Sequence, residues 1–206
     1  MAVYQAVTMG RLCSDRMLTE RFDEAVRYAI ELHRAQRRKG TSIPYLTHIF
    51  AVCSLVLEDG GTEDEAIAAL LHDGPEDQGG VVVLDEIRAR FDDAVATMVV
   101  GLSDAMPAAG EKKAPWRERK EAHLRHLLEA PPSVLRISLA DKLHNARSIL
   151  VDLRADGEAV WDRFSADRSD QAWYFGELLA VFERGIAESR NLPEFRQVVG
   201  EVFGRG

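Results

Sequence analysis

Apolar residues recur at helical spacing along almost the whole chain, and glycine or proline interrupts the pattern at intervals. Between Leu18 and Arg37 apolar groups stand at Phe22, Ala25, Val26, Ala29 and Ile30, with His33 on the same face. This is the i, i+3, i+4 rhythm of a half-buried helix. Gly40 and Pro44 break it. A second helix is expected from Leu46 to Glu58, ended by Gly60 and Gly61. Thr62 with Glu65 three residues later fits a capping box, which opens a third helix ending near His72. The stretch Gly74 to Gly80 reads as a loop, because its glycines and proline do not sustain a helix. Further helices are expected at Leu84–Arg90, Asp92–Leu102, Trp116–Glu129, Val134–Leu153, Ala166–Glu188 and Pro193–Phe203. The run VVVL at 81–84 is too short to suggest a sheet. The expected fold class is therefore all-α, a helical bundle.

A chain of 206 residues supports one substantial core. The division expected is an N-terminal extension over 1–17 followed by one domain over 18–206. The segment Asp104–Pro115, rich in Ala, Gly, Pro and Lys, reads as a mobile loop within that domain. No apolar run is long enough for a membrane span. The first residues lack the basic start and apolar stretch of a secretory leader. Cys13 and Cys53 are the only cysteines and show no metal-like spacing; Cys53, within AVCSLV, reads as a small core residue. A cytoplasmic location is the expectation. The net charge of -8 argues against general nucleic-acid binding. Positive charge is gathered locally instead, at Arg37, Arg38 and Lys39 and again at Lys112, Lys113, Arg117, Arg119 and Lys120, which suits a small anionic ligand. The oligomeric state is not readable.

The candidate chemistry lies in four side chains on three of the expected helices. His48, His72, Asp73 and Asp141 offer two imidazoles and two carboxylates, a set that suits one divalent ion of the manganese, iron or zinc type. Neighbours on a helix point about 100° apart, so His72 and Asp73 can reach one ion only at a helix end or a distortion. Asp141 shares a face with His144, Asn145 and Ser148, while Leu139, Leu143, Ala146 and Leu150 form much of the apolar side. Taken alone, Asp141 could be an ordinary partner of Lys142 or Arg147. Glu76 and Asp77 follow the His-Asp pair closely enough to take the proton of an attacking water; they also read as an exposed acidic turn. A divalent ion lowers the pKa of its water from 15.7 toward ~7, so the set reads as a hydrolase centre. His33 is expected on the inner face of the first helix. His123 and His126 are expected to be solvated, and His144 to support Asp141 or simply to pack.

The ordered set QRRKG, PYLTH, AALLHDGPEDQGG and LADKLHNAR resembles the HD-domain hydrolases of the RelA/SpoT type, above all the single-domain small alarmone hydrolases. The resemblance implies an all-helical HD domain and an Mn²⁺-dependent enzyme. Such an enzyme removes pyrophosphate from the 3′ position of ppGpp or pppGpp, leaving GDP or GTP. It implies His48, His72, Asp73 and Asp141 as metal ligands and Glu76 and Asp77 as the catalytic pair. Arg38 and Lys39 match a basic pair near the guanine and phosphates, a guanidinium plane being suited to stacking on a purine. Asn145 and Ser148 match residues facing the sugar, and Tyr174 a residue near the nucleotide. In PWRERK, Arg117, Arg119 and Lys120 are candidates to meet phosphates. Three departures bear on substrate preference: Ile49 where proline is common, Pro75 inside HDGPED, and Gly101-Leu102-Ser103-Asp104 in place of a Gly-Val-Thr-Lys segment. The alternatives are an HD phosphohydrolase for another nucleotide, such as ppApp or a simple nucleotide, and a catalytically weak nucleotide-binding regulator.

Overall fold

The computed structural model describes residues 18–103 and 114–204. The expected N-terminal extension with Cys13, and most of the expected loop with Lys112 and Lys113, lie outside the described residues. Among the described residues nine α-helices run in the order α1 (Glu20–His33), α2 (Leu46–Glu58), α3 (Glu63–Leu71), α4 (Val81–Phe91), α5 (Asp93–Leu102), α6 (Trp116–Glu129), α7 (Pro132–Asp156), α8 (Arg168–Gly185) and α9 (Leu192–Phe203). None of them is long and apolar enough to cross a membrane.

α7 is the axis of the domain. Ile137, Ser138, Leu139, Ala140 and Asp141 are buried in unbroken succession, which a helix shows only when neighbours cover every face. α2, α3, α5, α8 and α9 all pack on it. The capping box at Thr62 and Glu65 forms as expected. Gly60 ends α2 with φ +81. At Gly61 a Cβ would lie 2.6 Å from Val56 Cγ1 and 2.8 Å from the Val56 carbonyl oxygen, so the turn into α3 requires glycine there.

Four segments differ from the sequence expectation. α1 stops at His33 rather than Arg37, because the following residues form a tight turn. There the Arg38 amide donates to Ile43 (2.9 Å) and the Tyr45 amide to Gln36 (3.0 Å), and Arg37 pairs with Pro44 in an antiparallel bridge. This puts Arg38 and Lys39 at the tip of a turn, with Gly40 at φ +73. The expected loop at Gly74–Gly80 is a π-helical turn over Pro75–Gly79. Pro75 fits because it stands first in that turn, where its missing N–H costs nothing. The run VVVL is the first turn of α4, with Val81 and Val82 exposed and Val83 and Leu84 buried. A 3₁₀ segment, Gly157–Arg163, follows α7 and was not foreseen.

Candidate functional site

Three helices deliver the candidate ligands to one point. His48 stands in the first turn of α2, His72 caps the C-terminus of α3, Asp73 follows it, and Asp141 is mid-α7. His72 and Asp73 both turn inward because α3 ends there and gives way to the π turn. One ligand atom from each of His48, His72 and Asp73 lies within 4.8 Å of the others. Asp141 Oδ1 lies 3.3 Å from His48 Nε2 and 4.0 Å from His72 Nε2. Ligands at ~2.0–2.2 Å from a shared ion stand about 3 Å apart, so His48, His72 and Asp73 form a metal-type group, with Asp141 beside its two histidines.

The surroundings fix each ligand. His72 Nδ1 donates to the Ala69 carbonyl at 2.8 Å, which turns the Nε2 lone pair inward. Nε2 is buried and has no hydrogen-bond partner among the described residues; Asp73 Oδ2 is 2.9 Å away but not aligned as an acceptor. A buried nitrogen without a partner is costly in protein alone and suits a metal. His48 and His144 meet through their Nδ1 atoms at 2.8 Å. Burial, then His48 and Arg38, push His144 down to about 4, so it is neutral and accepts while His48 Nδ1 donates. His48 Nε2 then faces Asp73 and Asp141, at 3.5 and 3.3 Å. Tyr45 donates its hydroxyl to Asp73 Oδ2 at 2.6 Å. Asp141 takes Asn145 Nδ2 on Oδ1 and Lys142 Nζ on Oδ2, both at 2.6 Å.

Charge balance in this cluster is tight. Burial acts to raise the Asp73 and Asp141 carboxyls. It is outweighed by His72 and His48 at Asp73, and by Lys142 and the same histidines at Asp141, so both are held low. Burial acts to lower His72, but Asp73 and Asp141 bring it up to about 9. A cation is therefore favoured between these groups, and the donor set fits a divalent metal.

Glu76 and Asp77 open the π turn beside this cluster. Burial, then Asp73, raise the Asp77 carboxyl. Asp77 Oδ2 accepts from Gln36 Nε2 at 2.7 Å. Gln36 Oε1 in turn accepts from Gln78 Nε2 and faces His33 Nδ1, both at 2.6 Å. His33 is fully buried, on the inner face as expected, and its ring holds the residue that holds Asp77.

A pocket of about 320 Å³ adjoins the cluster. Of the other sequence candidates, Arg38, Lys39, Lys120, Asn145, Ser148 and Tyr174 line it. Arg38 Nη2 donates to Asn145 Oδ1 at 3.0 Å, joining the basic turn to Asp141 through one amide. Ser148 Oγ donates to the His144 carbonyl at 3.0 Å. Tyr174 is almost wholly buried, with Lys120 Nζ 4.8 Å from its ring centre. Arg117 is not among the lining residues: its guanidinium lies on Trp173 at 3.2 Å and pairs with Glu121 and Asp170. His123, expected in solvent, is buried, its ring 6.5 Å from that of Tyr174. His144 was read as supporting Asp141 or packing; it supports His48. Trp116, Asp152, Arg163 and Gln171 also line the pocket and were not foreseen. Asp152 continues the Asp141, Asn145, Ser148 face, the one signal that could have found it.

The fold and this His/Asp cluster define the class of HD phosphohydrolases. A model of the HD domain family matches residues 25–172, and the chain belongs to that family. Within it the chain is homologous to the single-domain ppGpp hydrolases of the MESH1 type and to SpoT/RelA hydrolase domains. The guanosine-3′,5′-bis(diphosphate) 3′-pyrophosphohydrolase MESH1 of Xenopus tropicalis is 34% identical over 129 residues, covering 61% of this chain and 68% of that protein. The Drosophila melanogaster protein of the same name is 29% identical over 168 residues, covering 80% and 86%. A solved structure described as a metazoan ortholog of SpoT that hydrolyses ppGpp superimposes with a TM-score of 0.68 at 25% identity, over 88% of this chain and 95% of that one.

Proposed function

We propose that this protein is a divalent-metal-dependent 3′-pyrophosphohydrolase of guanosine alarmones, converting ppGpp and pppGpp to GDP and GTP with release of pyrophosphate. One observation carries the reading: the metal-type cluster and the cation-lined pocket share a wall. Tyr45, Lys142 and Asn145 line the pocket and also hold Asp73 and Asp141. The volume suits a small ligand, and Arg38, Lys39 and Lys120 suit a polyanionic one. The likeness to MESH1-type relatives supports the same substrate class.

His48, His72, Asp73 and Asp141 would hold the ion, taken to be Mn²⁺ or another divalent transition metal. When bound, the metal supplies a Lewis acid and makes water a stronger nucleophile near neutral pH. Glu76 and Asp77 accept the proton of the attacking water, and the raised Asp77 carboxyl is suited to pass it on as the 3′-O–P bond breaks. Lys39 and Lys120 meet phosphate oxygens, Arg38 lies against the purine, Asn145 and Ser148 face the ribose, and Tyr174 closes the nucleotide side. Arg117 takes no part in this scheme, since its partners lie outside the pocket.

The test is product analysis by anion-exchange chromatography after incubation with ppGpp, pppGpp, ppApp and ordinary nucleotides, with Mn²⁺ and with chelator. Metal-dependent release of intact pyrophosphate from a guanosine alarmone is the expected result. Turnover of ppApp alone, or orthophosphate release from a simple nucleotide, would overturn the guanosine assignment while keeping the phosphohydrolase.

A further inference from the structure

We propose that Asp152 and Arg163 together read the Watson–Crick edge of the purine and make the pocket select guanine over adenine. The inference rests on the nucleotide reading above and adds the groups that choose the base.

α7 acts as a ruler along the pocket. Asp141, Asn145, Ser148 and Asp152 fall at i, i+4, i+7 and i+11, within one stripe about 60° wide. Asp141 stands at the metal-type cluster, and Asp152 lies about 16 Å farther along the axis at 1.5 Å per residue. Asp152, Arg163, Phe164 and Gln171 are among the residues that line the pocket, and of the α7 stripe Asp152 stands farthest from the cluster. With the reacting phosphate at the cluster, the base is the part of a nucleotide that reaches this end.

Two features mark the pair as built for a ligand. Asp152 is the one carboxylate among the described residues that line the pocket, where Arg38, Lys39, Lys120, Lys142 and Arg163 are also present. Arg163 compensates one oxygen of this carboxylate and leaves the other as an acceptor for a ligand donor. The pair is also held in place. Arg163 Nη1 donates to Asp152 Oδ2 at 2.8 Å, and Nη2 donates to Asp156. The Arg163 methylenes lie so close to Gly40 that a Cβ there would meet Cδ at 3.2 Å and Cγ at 3.3 Å. This arrangement ties the 3₁₀ segment to the turn that carries Arg38 and Lys39.

Asp152 Oδ1 takes no hydrogen bond from the described residues, and two of the five guanidinium N–H groups of Arg163 serve the two aspartates. A carboxylate acceptor beside a guanidinium donor matches guanine, which offers N1–H and the N2 amine as donors next to the O6 acceptor. Adenine offers the reverse, a donor at N6 and an acceptor at N1, and sets its N1 lone pair against the carboxylate.

The experiment is calorimetric binding of GDP, IDP and ADP to the Mn²⁺-loaded protein, run beside the alarmone assay. The wild type is expected to prefer GDP over ADP by at least ~10-fold, the order of one well-made base contact. IDP, which lacks the N2 amine, is expected between them. In Asp152→Asn one acceptor becomes a donor, and the GDP preference is expected to fall to within a few-fold of unity. Equal loss for all three nucleotides would mark Asp152 as structural and overturn the proposal. Equal binding of GDP and ADP by the wild type would overturn it without any variant. Guanine-selective binding without alarmone turnover would instead uphold the base reading and sink the hydrolase assignment.

Discussion

Arg136→Met should destabilise the protein by about 3 kcal/mol, the lower end of what removing one partner of a buried ion pair costs. Arg136 lies on α7, and its guanidinium bonds Glu65 at the start of α3 and stands 3.4 Å from Asp59 at the end of α2. The two carboxylates are 5% and 3% exposed, and the arginine 25%. The lower end applies because neither acid is stripped of all its bonds. Glu65 keeps the Thr62 amide at 2.6 Å, and Asp59 keeps the Arg190 amide at 2.6 Å and Ser189 Oγ at 2.8 Å. For a domain of this size, such a loss lowers Tm by roughly 6–12 °C. The assay is urea denaturation followed by circular dichroism, with the second variant Arg136→Met/Glu65→Gln. Glutamine keeps the capping geometry and sheds the charge, so the double variant should recover most of the loss. A single variant within ~1 kcal/mol of wild type, or a double variant no better than the single, would refute the reasoning that an unpaired Glu65 charge sets the cost. The clasp joins the end of α2 remote from His48 and the end of α3 remote from His72, and stands five residues before Asp141 on α7, so the single variant should also bind metal more weakly.

Glu76→Gln should retain metal, by elemental analysis, and lose ~10²–10⁴-fold in turnover; an unchanged rate would remove Glu76 from the proton path. His144→Ala takes away the acceptor that orients His48 and should weaken metal binding ~10–100-fold, read by competition with a chromophoric chelator; unchanged affinity would show that His48 needs no such support. Burial pushes the Cys53 thiol up to about 12, so the folded protein keeps it protonated while the unfolded chain ionises above its usual ~8.5. Stability should fall as pH rises through that window, and a Cys13→Ser variant should release no chromophore with Ellman's reagent at pH 8 until denatured. Rapid labelling of the native variant would contradict the burial.

The helices and the metal-type cluster were legible because local sequence governs both. The apolar rhythm of α1, the capping box of α3 and the glycines after α2 are rules about neighbours. The inward turn of His72 and Asp73 follows from the end of α3, which the glycines beyond it announce. What was not legible depends on contacts remote in sequence. His144 and Arg38 meet across 106 positions, and nothing near either announces it. His123 lies on a helix whose charged residues suggest solvent, yet the ring faces Tyr174 of α8. Arg117 sits in a basic run that suggests phosphate, yet Trp173 and Asp170, also on α8, claim it. For long cationic side chains, composition sets which partners are possible and packing chooses among them.

Pro75 shows the same division within one turn. Read locally, a proline two residues after the His-Asp pair, with glycines close by, does not sustain a helix and predicts a loop. The fold makes a π turn instead: the Asp77 amide reaches the Asp73 carbonyl at 3.0 Å, and the Gly80 amide the Pro75 carbonyl at 2.8 Å. Gly80, at φ +57, ends the turn and lets α4 begin. The widened turn carries Asp77 to Gln36, which is itself held from the buried ring of His33. The aim of Asp77 is thus set by a residue 41 positions away. A proline that removes one amide donor leaves that aim intact, because the bonds fixing it run through the Gln36 side chain and the Asp73 carbonyl rather than through the amide of residue 75.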